Sequence, residues 1–124
     1  METQLRTDLE RHGANVKELL EQCAGFESLI DDLLVMFTQD DNYVQMLDAI
    51  ELNDVKQAFM NLHTIKGMAL NLRLNGLVTK ILAIDPFWRK GDHVDDKKKI
   101  EAMKKEYVGT IEIIQDWMRR SGKE

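Results

Sequence analysis

Cysteine and proline are almost missing from this sequence. One cysteine, Cys23, and one proline, Pro86, occur in 124 residues. A lone cysteine has no intramolecular partner, so no disulfide framework holds the chain, and a reducing compartment is the expectation. A single proline leaves nearly the whole chain free to form uninterrupted helix. No segment alternates apolar and polar residues with a period of two, so strands are not expected. No apolar run approaches the ~20 residues that cross a bilayer as a helix. The opening residues, Met1-Glu2-Thr3-Gln4-Leu5-Arg6-Thr7-Asp8, lack the apolar stretch of a signal peptide. Positive charge is in deficit, with 17 Lys and Arg against 22 Asp and Glu. An acidic chain repels phosphate backbones, which argues against nucleic acid as a partner. The expectation is one cytoplasmic domain over residues 1–124, with no membrane association.

What the chain does contain is helical patterning divided by short polar breaks. Thr3 to His12 reads as a helix stopped by Gly13. Asn15 to Ala24 reads as a second, with Asn15 as N-cap and Glu18 three residues on, and Gly25 ends it. Ser28 to Phe37 is a third, broken by Asp40-Asp41-Asn42, after which Asp41 caps a short helix holding Val44, Leu47 and Ile50. Asn53 is the expected N-cap of a long helix from Asp54 to about Leu72. A bend at Asn75-Gly76 leads to a helix ending near Ile84. Asp85-Pro86 reads as N-cap and first helical residue of a short turn over Phe87 to Lys90, closed by Gly91. The last helix is expected from Val94 to Arg120, where Ile100, Met103, Tyr107, Ile111, Ile114 and Met118 recur at steps of three and four. The fold class is all-α, expected as an antiparallel, up-down four-helix bundle with additional short N-terminal helices.

The long helix around His63 carries the chemistry. At about 100° per residue, Val55, Ala58, Leu62, Ile65, Ala69 and Leu72 share one apolar face. His63 lies roughly 140° from the centre of that face and is expected to be exposed. Its neighbours at helical contact spacing are Phe59 and Met60 before it, and Lys66, Gly67 and Leu70 after it. Glycine inside a helix costs about 1 kcal/mol relative to alanine. At Gly67, one turn from His63, one use for that cost is space, through which another protein can approach the imidazole closely. Lys66 offers a mobile point charge for phosphoryl oxygens. Phe59, Met60 and Leu70 form an apolar docking rim. A neutral imidazole is a nucleophile near neutral pH, and phosphoryl transfer needs positioning and charge neutralisation above all.

The run His63-Thr64-Ile65-Lys66-Gly67-Met68-Ala69-Leu70-Asn71-Leu72 resembles the signature of histidine-containing phosphotransfer domains. That signature places lysine and glycine three and four residues after the histidine, then an asparagine-leucine pair. The likeness extends upstream through Phe37, Leu47, Asn53-Asp54 and Ala58-Phe59 and covers about Ser28 to Ile84, most like the stand-alone members. It implies a four-helix bundle and a phosphoryl group carried on His63 between aspartates of receiver domains, in response regulators or hybrid histidine kinases. It implies assistance by the charge of Lys66 and the clearance at Gly67. Any magnesium is expected in the receiver partner, and the chain is expected to need no cofactor of its own. Two positions depart from the pattern. Arg73 stands where glycine usually follows the asparagine-leucine pair, so the helix is expected to continue past Leu72 or to bend at Asn75-Gly76. Met68 replaces a small or hydroxylated residue, and on the wheel it points away from His63.

The remaining polar residues have simpler readings. His12 sits at an expected helix C-terminus, where an imidazolium complements the helix dipole. His93 falls in a loop, and neither histidine has a ligand partner at zinc spacing. Asp31-Asp32, Asp40-Asp41 and Asp95-Asp96 read as caps and solvated faces, and Lys97-Lys98-Lys99 with Lys104-Lys105 as the wet face of the last helix. Cys23 reads as structural. No glycine-rich phosphate loop is present, so a phosphocarrier, not a nucleotide-using enzyme, is expected. Two alternatives share the fold: a receiver-binding adaptor that carries no phosphate, and the phosphorylation domain of a chemotaxis-type histidine kinase. The Met1 start and charged end favour a whole protein over the latter, and a monomer is expected.

Overall fold

The computed structural model describes residues 1–92 and 97–123, and among these the regular structure is entirely helical. The order is α1 (Thr3–Arg11), α2 (Val16–Gln22), α3 (Glu27–Gln39), α4 (Asn42–Glu51), α5 (Val55–Asn71), α6 (Asn75–Leu82), α7 (Asp85–Arg89) and α8 (Lys97–Ser121). The expected elements are all present, with ends displaced by at most two residues, except that the expected start of the last helix at Val94 lies outside the described residues. His93, Val94 and the Asp95-Asp96 pair lie outside the described residues.

Helix ends follow from local hydrogen bonding. Asn15 Oδ1 accepts from the Glu18 amide at 3.1 Å, as its capping pattern predicts. At α5 the expected cap is displaced by one residue. Asp54 Oδ1 accepts from the Gln57 amide at 3.1 Å, while Asn53 takes φ +59°. Asn53 belongs to the end of α4, where the Asn53 amide bonds to Ile50 O and the Asp54 amide to Ala49 O, the two bonds of a Schellman closure. Asp41 makes no side-chain capping bond to α4; Asp40 Oδ1 accepts from the Asn42 amide instead, at 2.9 Å. At α7, Ile84 occupies the cap position and Asp85 and Pro86 fall inside the helix, which turns the Asp85 side chain into the protein.

Arg73 resolves differently from either expectation. The helix neither continues nor waits for Asn75-Gly76. Arg73 itself adopts φ +55°, its amide bonds to Leu70 O at 3.1 Å, and the Leu74 amide bonds to Ala69 O at 2.9 Å. This is the closure that glycine usually makes, formed at a left-handed conformation that costs an L-residue roughly 1–2 kcal/mol. Ala24, with φ +51°, closes α2 in the same way, one residue before Gly25.

The core is one cluster. α5 packs against α4, α6 and α7, and α8 packs against α1, α3 and α6. Ala58, Leu62, Ile65, Ala69 and Leu72 are buried, as the wheel requires; Val55, at the first turn, is half-buried. Met103, Tyr107, Ile114 and Met118 are buried along α8, joined by Trp117 and Thr110, which the three-four spacing did not single out. Tyr43 of α4 stacks on Tyr107 of α8 with ring centroids 3.9 Å apart and planes 6° from parallel. Asn61 is buried in α5, but its amide donates to Asn42 Oδ1 and Gln45 Oε1 and accepts from Gln57 Nε2, so its polarity is satisfied.

Three helices meet at bare backbone. Gly13 O accepts from the Gly76 amide at 3.1 Å, joining the end of α1 to the start of α6. A Cβ at Gly76 would lie 2.7 Å from His12 O and 2.6 Å from Glu106 Oε1. A Cβ at Gly109 of α8 would lie 2.6 Å from the His12 ring. His12, with its proton on Nε2, donates to Glu106 O of α8 at 3.1 Å. It does end α1, as expected, but its ring serves to join α1 to α8.

Two consequences are measurable. Gly76→Ala forces a Cβ against a backbone carbonyl and should lower unfolding stability by roughly 1–3 kcal/mol in a urea titration; unchanged stability would mean that this contact is not tight. Burial first, then the Asp40 carboxylate and Tyr43, push the Tyr107 phenol up to about 12 from 10.0. The unfolded chain therefore releases this proton at lower pH than the folded one. Stability from this source is whole below pH ~10 and is lost as pH rises towards ~12. Tyr107→Phe should flatten that alkaline decline, with a smaller slope left by Tyr43, whose phenol burial also raises; urea midpoints between about pH 9 and about pH 11.5 would reveal it.

Candidate functional site

Burial of one face of α5 leaves the opposite face to water, and His63 stands on it, exposed. The Phe59 ring, one turn earlier, lies alongside the imidazole with centroids 5.8 Å apart and planes 30° from parallel. Phe59 is half-buried and packs against the core, so it supports the imidazole from below. Met60 and Leu70 are 54% and 45% exposed. The expected apolar rim is thus made of Met60 and Leu70, with Phe59 as its floor. Met68 is half-buried against the core, consistent with a side chain directed away from His63.

At Gly67 an added Cβ would meet nothing within 4 Å. The contrast with Gly76 and Gly109 is informative. Those glycines are required by the packing of this chain, and Gly67 is not. Its helical cost of about 1 kcal/mol is offset by no contact among the described residues.

Lys66 differs from the free cation that the sequence suggests. Its side chain is only 14% exposed, and Nζ donates to Asp85 Oδ1 at 3.4 Å. Asp85 is 5% exposed and also accepts from Arg89 Nη2 at 2.9 Å through Oδ2. The Arg89 guanidinium sits 5.7 Å from the centroid of the Phe59 ring, within cation–π range. α7 therefore adds two charged residues to the face that bears His63. Trp88 and Ile84, both buried, anchor α7 to the core and hold those charges in place. A buried carboxylate needs compensation, and two cations on one carboxylate supply it with positive charge to spare.

His63, Lys66, Gly67, Phe59, Met60 and Leu70 follow one another at helical spacing on α5, and α7, expected only as a capped short turn from Asp85 to Lys90, adds Asp85 and Arg89 beside them. A signal was present: Asp85 and Arg89 stand four apart, the spacing of a helical ion pair, with Trp88 as an apolar anchor between them. Phe87 is a further exposed ring of α7, with Lys99 Nζ of α8 4.8 Å from its centroid. Lys99 is thus not simply on the wet face of the last helix. Cys23 is buried and unpaired, in keeping with a structural role.

Among the described residues no group of three or more His, Cys, Asp or Glu side chains is arranged to hold a metal ion, and no helix is long and apolar enough to cross a membrane. Comparison of the chain with protein-family models, with curated proteins and with solved structures gave no match.

The open space at position 67 has a consequence for stability. Gly67→Ala replaces a costly helix residue where the new methyl has open space, and should raise unfolding stability by roughly 0.5–1 kcal/mol in urea. A loss of stability would show that the fold itself requires this glycine.

Proposed function

We propose that this chain is a phosphorelay intermediate of two-component signalling, which accepts a phosphoryl group on His63 from one receiver-domain aspartate and delivers it to another. The observation that carries the reading is the pairing at one helical turn of an exposed imidazole with a glycine that nothing in the chain requires. A folded partner must bring its aspartyl phosphate to within bonding distance of the imidazole, and a side chain at position 67 would stand in its way. The likeness of His63 to Leu72 to the phosphotransfer signature adds the chemistry.

In the forward step a ring nitrogen of His63 attacks phosphorus. The nitrogen–phosphorus bond forms, the phosphorus–oxygen bond to the aspartyl carboxylate breaks, and the carboxylate leaves with the electron pair. The second transfer is the reverse reaction on a different aspartate. Lys66 and Arg89 place positive charge on the face where the phosphoryl oxygens arrive, and Met60 and Leu70 provide apolar contact for the partner. The chain then needs no nucleotide and no cofactor, and magnesium belongs to the receiver.

The architecture belongs to the same proposal. α4, α5, α6 and α8 are read as an antiparallel four-helix bundle, with α1 to α3 as additional N-terminal helices. Support comes from the packing of α5 between α4 and α6, of α6 against α8, and of α8 against α4 through the Tyr43–Tyr107 stack. A cytoplasmic monomer suits this reading, since both phosphoryl donors and acceptors of this type are cytoplasmic domains.

Incubation with phosphoramidate followed by intact-mass measurement tests the proposal. The expected result is one added phosphoryl group, labile in acid, stable in alkali and absent from His63→Gln. Failure of the folded protein to take phosphate from phosphoramidate or from any receiver, with receiver binding intact, would make it an adaptor instead.

A further inference from the structure

Asp85 stands at the branch point of the charges on the face of His63. Its carboxylate is almost wholly buried, and its two oxygens are divided between two cations. The divisions are unequal. Arg89 is held at 2.9 Å, an ordinary charge-assisted bond, while Lys66 is held at 3.4 Å, near the outer limit of hydrogen bonding. Lys66 is also the cation that lies one turn from His63 on the same helix, where side chains three apart are neighbours. Its ammonium is a compact charge on a flexible stem, able to exchange one anion for another without moving the backbone.

A phosphoryl group on His63 brings a second anion within reach of that stem. It carries one to two negative charges, more than the single charge of Asp85. If Lys66 leaves, Asp85 keeps Arg89, so its buried charge is not orphaned. Arg89 thereby makes the release of Lys66 inexpensive. Resting on the phosphorelay reading above, we propose that Asp85 is a positioning residue that holds Lys66 in the unphosphorylated protein and competes with the phosphoryl group for it. Asp85 so limits how firmly Lys66 grips the phosphohistidine and keeps the group transferable. A carrier that bound its phosphoryl group with an uncontested lysine would retain it at the expense of delivery.

The test uses the full chain loaded with phosphoramidate, with the donor then removed and the decay of phosphohistidine followed by intact mass. Asp85→Asn keeps the size and hydrogen-bonding capacity of the side chain and removes its charge. The phosphohistidine lifetime should lengthen roughly fivefold, the scale of one weakened ion pair, and Asp85→Glu should restore the wild-type lifetime. In a Lys66→Gln background, Asp85→Asn should change nothing, because the lysine through which it acts is gone; a merely structural role would persist there. An unchanged lifetime in folded Asp85→Asn overturns the proposal, as does an equal effect in both backgrounds. Should Asp85→Asn not fold, nitrogen-15 resonances of the wild-type protein decide. A Lys66 ammonium signal that moves on loading while the Arg89 guanidinium signal stays supports the competition, and a stationary Lys66 signal overturns it. Absence of any phosphoryl uptake by the wild type is seen before the variants are compared, and it removes the relay reading itself and this inference with it.

Discussion

The rotational setting of α5 governs the rest of this molecule. Leu62, Ile65 and Ala69 are fully buried on one side of that helix, and Ala58 and Leu72 nearly so. Burial of a leucine or isoleucine side chain contributes roughly 1.5–3 kcal/mol. A turn of the helix by one residue, about 100°, would expose several of these at once. A cost of that size is comparable with the whole net stability of a domain. The imidazole of His63 is therefore held outward by the burial of residues on the opposite face of the helix. Its exposure is a property of the core, and the same core fixes where Lys66, Gly67, Met60 and Leu70 emerge.

α7 applies a second constraint to the same face. It is a short helix that would not form in isolation, since helices below ~12 residues are marginal in water. Trp88 and Ile84 attach it to the core, and the pairing of Asp85 with Lys66 attaches it to α5. The charged network is thus partly structural. It ties two helices together, and it also sets the electrostatic surroundings of the imidazole, with Arg89 poised above the Phe59 ring. The polar groups that join these elements are the same ones to which the proposed phosphoryl transfer gives a chemical role.

The parts of this arrangement that were legible in the sequence are those set by periodicity. The apolar stripe of α5 and the outward direction of His63 follow from spacing alone, and so do most of the buried residues of α8. The placement of caps was less legible. Asn53 and Asp54 are both good capping residues by type, and what separates them is that Asn53 tolerates a left-handed conformation and so closes α4, leaving Asp54 to open α5. Arg73 shows the opposite limit. Nothing in its chemistry announces a left-handed helix end, and the closure there is imposed by the burial of Leu72 and Leu74 on either side. Asp85 departs from the cap position expected of it for a similar reason. Beside proline it has the form of a cap, and only the packing of α7 against α5 turns it inward onto Lys66. Long-range pairing of that kind leaves no periodic trace.

Gly67 has one more consequence, which concerns motion. A glycine inside a helix weakens the local hold on backbone conformation by about 1 kcal/mol, which corresponds to about a fivefold larger population of locally opened states. The turn from His63 to Gly67 also has no side chain at position 67 to shield its amide–carbonyl bonds from water. This weakened turn of α5 is the one that would face a docking partner in the proposed relay, while the buried stripe on the other side of the helix remains clamped. In the proposed relay the helix is rigid where it defines the fold and compliant where a partner would dock, and a single missing methyl group separates the two regimes.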